Sequence, residues 1–268
     1  MEQNKRTLCP RCTRPTPRGC ICEGIPEERI ALNRTQVIVL QHPNELRHKN
    51  RSLPLLELSL RPTDLHVIHL RRLGEQVDKE LMAQMNDATH PLILMYPGND
   101  SITLQEGIDR VRENYPPHCK INLFVLDATW KYAREMDMAN QREKQYPTHM
   151  IRIALSTKDF PATFSPRRFD IRTPPSIDHL STAESVAWVL TKFENNPNLY
   201  DTLMKPLDAM VQKWSSFSDT RSAKDTMNEE EPSYQEQLRT KPGSKKRKHV
   251  RMERWIHLPQ QSGMRRRS

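Results

Sequence analysis

The chain of 268 residues contains only seven glycines, and this scarcity excludes one large class of binding sites. No glycines are arranged as G-x-G-x-x-G or G-x-x-x-x-G-K, the loops whose backbone approaches the phosphates of a nucleotide. A nucleotide site built on a glycine loop is therefore not expected.

Long apolar segments are also missing. No apolar run approaches the length of a transmembrane helix, and residues 1–5 lack the apolar core of a signal peptide. Hydrophobic residues make up only 35% of the chain, so part of it is not expected to pack into a core. We predict an intracellular protein, cytoplasmic or nuclear, with no membrane contact. No pattern in the chain specifies an oligomeric state.

Positive charge is in excess, with 42 Lys and Arg against 33 Asp and Glu and a formal net charge of +9. This balance favours a polyanionic partner, nucleic acid ahead of membrane. Residues 239–267 contain eleven basic residues and a single acid, Glu253. We predict that residues 218–268 form a disordered basic tail. The tail can hold an RNA backbone, act as a nuclear import signal through Lys245–Lys248, or be a solvated segment without a specific role.

Four of the five cysteines lie close together near the N-terminus, in Cys9-Pro10-Arg11-Cys12 and Cys20-Ile21-Cys22. Two close pairs separated by a short Pro-rich loop are typical of a tetrahedral zinc site, whereas disulfides are not expected in a reducing compartment. Four sulfur ligands leave no open coordination position, so the zinc would be structural. The alternative is a group of free thiols. We assign residues 1–28 to a zinc-binding element with Cys9, Cys12, Cys20 and Cys22 as ligands.

A continuous apolar run, Leu123–Leu126, ends in Asp127 and is followed at once by a helix-type pattern. Such a run predicts a strand buried on both faces. Open α/β sheets place their ligand crevice at the carboxyl ends of strands, where Asp127 would lie. The alternative is that Asp127 only caps the helix that follows.

Polar residues follow two other predicted strands in the same way. The strand over 35–40 ends in Gln41-His42-Pro43-Asn44-Glu45, and the strand over 91–96 is followed by polar residues 97–101. The three polar strand ends suggest one shared crevice. The strands alternate with helices, which predicts an α/β domain with a mostly parallel sheet and flanking helices over residues 29–217. The other predicted elements are strands over 65–70 and 149–155, a short extended piece over 169–172, and helices over 53–60, 79–85, 103–114 and 199–214, with further helices beginning after Asp127 and near Leu180.

Taken together, these motifs resemble the DTW-domain family of the TDD superfamily. The resemblance runs from Cys9 to about Trp214. This chain has Asn50-Arg51-Ser52 where the family often shows Asn-Thr after its His-Pro element. The motifs that carry the resemblance are the two cysteine pairs with Ile25-Pro26, Gln41-His42-Pro43-x-Glu45, Leu126-Asp127-Ala128-Thr129-Trp130-x-x-Ala133-Arg134-x-Met136, and Leu180-Ser181-Thr182-x-Glu184.

The resemblance implies a fold and an activity. Members of the family are tRNA-uridine aminocarboxypropyltransferases, distantly related to the knotted SPOUT methyltransferases, so a SPOUT-like fold, with a knot as a possible feature, is expected. The implied reaction uses S-adenosyl-L-methionine as donor substrate and tRNA as acceptor. Uridine N3 attacks the methionine γ-carbon, methylthioadenosine leaves, and the product is 3-(3-amino-3-carboxypropyl)uridine.

The same resemblance implies roles at the reacting end of the site. The N3 proton requires a base, for which Asp127 is the first candidate and His42 the second. Trp130 would stack on adenine or uracil, or would belong to the core.

The remaining implied roles concern the donor. Glu45 or Glu184 would hold its ammonium group, and Arg134 would pair with its carboxylate. The hydroxyls of Thr129 and Ser181 would orient the donor. For Ser181 and Glu184 a capping box at a helix start is the alternative interpretation.

Two other functions are compatible with the sequence. One is a SPOUT-like RNA methyltransferase that uses the same donor. The other is a non-catalytic zinc-containing RNA-binding protein, which would account for the cysteines and the tail but not for the polar strand ends.

Overall fold

Six parallel strands form one sheet in the computed structural model, which describes residues 7–48, 51–161, 164 and 180–225, with side chains as far as Ser215. The strands are β1 (Thr35–Gln41), β2 (Leu65–Ile68), β3 (Leu92–Met95), β4 (Ile102–Thr103), β5 (Ile121–Asp127) and β6 (Ile151–Ala154). The helices are α1 (Leu53–Ser59), α2 (Lys79–Asn86), α3 (Leu104–Asn114), α4 (Trp130–Arg142), α5 (Thr182–Phe193) and α6 (Leu199–Asp225).

The strand order is β2-β1-β5-β3-β6-β4, and every pair is parallel. The three strands with polar carboxyl ends, β1, β5 and β3, are therefore neighbours at the centre of the sheet. β1 and β5 pair along their whole length, from Thr35 opposite Ile121 to Gln41 opposite Asp127. This register brings the two polar ends to the same point on the sheet edge.

Alternate side chains of each strand point to opposite sides of the sheet, and the side chains on both sides are apolar. Val37 and Val125 belong to the larger core cluster, which also contains the apolar side of α5. Ile38 and Phe124 belong to a second cluster on the other face, together with Met136 of α4. Two buried faces explain why these strands appear in the sequence as continuous apolar runs.

The predicted α/β class, parallel sheet and flanking helices are confirmed, with helix and strand bounds that differ by a few residues. β4 was not predicted, since two residues carry no periodic pattern. α6 continues to Asp225, past Trp214, so residues 218–225 are helical although the predicted tail began at 218.

Several predictions concern parts of the chain that the structure does not test. The extended piece over 169–172 and tail residues 226–268 lie outside the described residues. The chain divides into one unit over Met1–Thr220 and a second over Arg221–Ser268. The boundaries after residues 28 and 217, and the knot, stay predictions. Among the described helices, none combines the length and apolar character needed to cross a membrane.

Candidate active site

Asp127 is the last residue of β5 and is buried at the carboxyl edge of the sheet. It does not cap the next helix, because α4 begins at Trp130 and its N-cap residue is Thr129. Its carboxylate accepts hydrogen bonds from Gln41 Nε2 to Oδ2 at 2.7 Å and from Thr182 Oγ1 to Oδ1 at 2.7 Å. The side chain is thus held from both sides by neutral donors.

The hydrogen bond with Asp127 fixes the orientation of the Gln41 side-chain amide. A carboxylate only accepts hydrogen bonds, so the amide nitrogen of Gln41 must face Asp127 and its oxygen must point away. Gln41 is 1% exposed, and within the described part of the chain its Oε1 has no hydrogen-bond partner. A buried acceptor without a partner is uncommon in folded proteins, and here it lies beside a buried acid.

His42 follows β1 directly, and hydrogen bonds and ring stacking fix its position beside Asp127. Its backbone N–H donates to Asp127 O at 2.9 Å, and its ring stacks on Tyr132 with centroids 4.3 Å apart and an interplanar angle of 5°. Nδ1 accepts the backbone N–H of Asn44 at 3.1 Å. A neutral His42 therefore carries its proton on Nε2.

The surroundings of His42 favour this neutral form. Burial lowers the pKa of His42, and the positive charge of Arg71 lowers it further, while Glu45 and Glu135 oppose the shift. The imidazole thus presents an Nε2–H donor.

The two predicted acids besides Asp127 are both buried. Glu45 lies in a 3-10 helix over Pro43–Arg47, with Oε1 4.0 Å from His48 Nε2. Glu184 accepts a hydrogen bond from Tyr200 Oη at 2.8 Å. Ser181 is the N-cap residue of α5, and its Oγ accepts the Glu184 N–H at 3.2 Å, which is the N-cap half of a capping box.

The predicted residues at the start of α4 are on the surface. Thr129 and Arg134 are exposed, and Trp130 is 46% exposed, so Trp130 is not a core residue. The Thr129 side chain makes no capping hydrogen bond. All three side chains can therefore be reached from solvent just beyond Asp127.

Two residues of the site were missed from the sequence, Gln41 and Thr182. Both residues lie within the motifs that carry the family resemblance, but the resemblance implied no role for either of them. Their contacts with Asp127 depend on strand register and on the docking of α5, neither of which the local pattern shows.

A buried ion pair near the same edge was also missed. Arg152 of β6 donates from Nη2 to Asp137 Oδ1 at 3.0 Å, and its Nε lies 2.9 Å from Asp100 Oδ1. Tyr146 Oη donates to Asp137 Oδ1 at 3.0 Å, and burial raises the pKa of Tyr146, which keeps that donor protonated. The cluster ties α4 to β6.

The four N-terminal cysteines form a compact group of sulfur atoms, all within 4.8 Å of one another. Sγ–Sγ distances are 3.4 Å for Cys9 and Cys22 and 3.8 Å for Cys12 and Cys20. A zinc tetrahedron with Zn–S bonds of about 2.3 Å has edges of about 3.8 Å, so this donor set fits zinc. Backbone N–H groups of Cys12 and Arg11 lower the pKa of Cys9 to about 6, which favours its thiolate, whereas burial and the hydrogen bond with Cys9 raise the pKa of Cys22 to about 12.

The cysteine element packs against α6. A Cβ atom on Gly24 would lie 2.5 Å from the carbonyl oxygen of Lys205 and 3.0 Å from Pro206 Cα, so only glycine fits there. Arg14 Nη2 lies 2.8 Å from Met210 Sδ on the same helix. The element is therefore anchored to the main domain by close backbone contact.

Comparison with known proteins gives consistent matches. A family model described as the DTW domain matches residues 6–215. The tRNA-uridine aminocarboxypropyltransferase 2 of Drosophila melanogaster is 29% identical, over 78% of this chain and 75% of that protein. The tRNA-uridine aminocarboxypropyltransferase A of Arabidopsis thaliana is 31% identical, over 80% of this chain and 83% of that protein. The Mus musculus tRNA-uridine aminocarboxypropyltransferase 2 is 28% identical over 77% of this chain, but only 63% of that protein is covered. No solved structure matches the chain.

Proposed function

Because the chain belongs to the DTW-domain family, we propose that it is a tRNA-uridine aminocarboxypropyltransferase with S-adenosyl-L-methionine as donor substrate. The observation that carries the proposal is the carboxylate of Asp127. It is buried at the carboxyl end of a central strand and is held by Gln41 and Thr182. This edge of an open parallel sheet is where such folds bind their ligands.

The reaction places clear demands on the site. Uridine N3 attacks the γ-carbon of the donor, the N3–Cγ bond forms, and the Cγ–S bond breaks with its electron pair going to sulfur. Methylthioadenosine leaves as a neutral thioether, and the N3 proton passes to a base. Since the sulfonium is already a good leaving group, orientation of the two substrates is the larger task of the protein.

We assign the base to Asp127 and not to His42. Nδ1 of His42 is occupied by a backbone N–H and Nε2 carries the proton, so neither ring nitrogen has a lone pair to offer. A carboxylate has about four lone-pair sites, so Asp127 can accept from Gln41 and Thr182 and still act as a proton acceptor. The backbone N–H of His42 donates to the backbone oxygen of Asp127 and so keeps His42 beside this strand end, where its ring supplies an Nε2–H donor.

We assign donor binding to the other site residues that the sequence predicts. Glu45 and Glu184 are the candidate partners of the donor ammonium, since both are buried acids. Arg134, exposed on α4, would pair with the donor carboxylate. The hydroxyls of Thr129 and Ser181 lie at the starts of α4 and α5 and would complete the donor contacts.

We further propose that the four-cysteine group holds a structural zinc ion. Zinc would cross-link the element that packs on α6. We expect the purified chain to contain about one zinc per molecule by plasma mass spectrometry. Cys12→Ser should lose the metal, whereas Cys119→Ser should keep it, because Cys119 is a buried cysteine outside the group. A metal-free wild type, or equal metal content in both variants, would contradict the assignment.

The activity is tested by incubating the full-length protein with unmodified tRNA transcripts and donor. Nucleoside mass spectrometry should detect 3-(3-amino-3-carboxypropyl)uridine and an equal amount of methylthioadenosine. Donor labelled separately on the methyl and carboxypropyl carbons distinguishes the alternative. Methyl label in the RNA would replace the proposal with a methyltransferase. No donor binding by folded protein in calorimetry would favour a non-catalytic RNA-binding protein.

A further inference from the structure

Basic and apolar side chains are exposed immediately after three adjacent strands of the sheet. Leu46 and Arg47 follow β1, Arg71 follows β2, and Trp130 and Lys131 follow β5. We call these five residues the collar. Because β2, β1 and β5 are parallel neighbours, their carboxyl ends meet at one edge, and the collar lies along the edge that holds Asp127.

Contacts link the collar to the candidate site. Lys131 Nζ lies 5.7 Å from the centroid of the Tyr132 ring, which stacks on His42. The charge of Arg71 acts on the same imidazole, and the backbone N–H of His42 donates to Asp127. Arg71 and Lys131 therefore both lie near the aromatic pair beside the proposed base.

The chemistry of the collar suits an RNA strand. In the described part of the chain, Arg47 and Arg71 have no ion-pair partner, and Lys131 has only a solvent-exposed pair with Glu135 at 3.9 Å. Such cations are free to contact phosphates. Trp130 is 46% exposed, and aromatic side chains at a protein surface can stack on bases.

We propose that the collar binds the acceptor RNA on either side of the target uridine. Arg47, Arg71 and Lys131 contact phosphates, and Trp130 stacks on a nucleobase. This arrangement would hold the uridine over Asp127 without reading a long sequence. The inference rests on the proposed function for its choice of RNA, and it assigns RNA contacts to residues between 46 and 131 of the chain.

The test measures binding of a fluorescent unmodified tRNA transcript to the full-length chain by anisotropy at several salt concentrations. The triple variant Arg47→Gln, Arg71→Gln, Lys131→Gln should bind at least about tenfold more weakly, and the slope of log K against log salt should fall by about 2 to 3. The matched control removes three exposed cations elsewhere on the domain: Arg61→Gln, Arg110→Gln and Lys120→Gln. The control should bind like the wild type.

Trp130 is tested against a tryptophan of the same exposure. Trp130→Ala should weaken RNA binding about five- to a hundredfold, with the salt slope unchanged, because stacking is not ionic. Trp214 of α6 is 45% exposed and provides the control, since Trp214→Ala should leave the affinity unchanged. Circular dichroism of each variant checks that the fold is retained.

The outcomes separate this inference from the proposed function. Equal weakening of both triple variants would mean that total charge governs binding, and unchanged binding in the collar variant would place the RNA elsewhere; either result overturns the inference. If the collar variants lose RNA binding but the wild type forms no modified nucleoside, the collar stands and the proposed activity fails.

Discussion

Replacing Asp127 by asparagine removes the proposed base and should leave the fold almost unchanged. The Asn side chain has the same shape, and its Oδ1 can still accept from Thr182. Its Nδ2 would face Gln41, whose amide can turn so that Oε1, now without a partner in the described part of the chain, accepts from it. The charge-assisted bonds with Gln41 and Thr182 become neutral ones while a buried charge disappears, so the free energy of unfolding should change by less than about 2 kcal/mol.

The effect on activity should be much larger. General base catalysis contributes about 100- to 10,000-fold to rate, or about 3–5 kcal/mol of barrier. Asp127→Asn should lower the single-turnover rate of modified uridine formation by this factor at saturating donor and tRNA. The donor Kd from calorimetry should stay within about threefold of the wild type, since a residue that acts mainly in the transition state contributes little to ground-state binding.

Asp64 provides a matched control for this variant. It is a buried acid before β2, at the opposite edge of the sheet, and it accepts the Leu32 N–H at 2.9 Å. Asp64→Asn should leave the rate unchanged. Normal turnover by well-folded Asp127→Asn would refute the assignment of the base. Loss of donor binding in that variant would instead make Asp127 a donor-binding residue.

Three further predictions concern stability and are measured by urea unfolding. Asp137→Asn should lower the free energy of unfolding by about 3 kcal/mol, because the buried guanidinium of Arg152 loses its buried counter-ion. Gly24→Ala should lower it by about 1–3 kcal/mol, because the new Cβ would lie 2.5 Å from the Lys205 oxygen. Stability should also fall as the pH drops below 6.5, since the pKa of His42 is lowered in the folded state and the unfolded chain takes up the proton first. His42→Asn should reduce this pH dependence.

Each of the three stability predictions has a control or a result that would contradict it. Asp100 also contacts Arg152, but its side chain is 72% exposed, so Asp100→Asn should change stability by less than about 1 kcal/mol. If Asp137→Asn and Asp100→Asn lowered the free energy of unfolding equally, burial of the counter-ion would not be what matters. Burial also lowers the pKa of His149, so part of the pH dependence should persist in His42→Asn. If the stability of His42→Asn depended on pH in the same way as that of the wild type, the pH dependence would come entirely from groups other than His42. If Gly24→Ala had the same free energy of unfolding as the wild type, the cysteine element would be able to move away from α6.

The local sequence determined the elements and their polar ends. Apolar runs such as Leu123–Leu126 predict strands buried on both faces, and residue spacing alone groups Cys9 with Cys22. The polar residue at the end of each strand is predicted correctly as well. An apolar run and the polar residue that ends it are both defined by neighbours a few positions away in the chain.

Only the tertiary structure decided which of those residues meet. Gln41 and Asp127 are 86 residues apart in the chain, and Asp127 and Thr182 are 55 apart. Their contacts depend on strand order, on the register of β1 against β5, and on the docking of α5. Periodicity carries no information on these long-range choices, which follow from burying both faces of the sheet together. The sequence therefore predicted an acid at a strand end, and the fold decided that an amide and a hydroxyl hold it there.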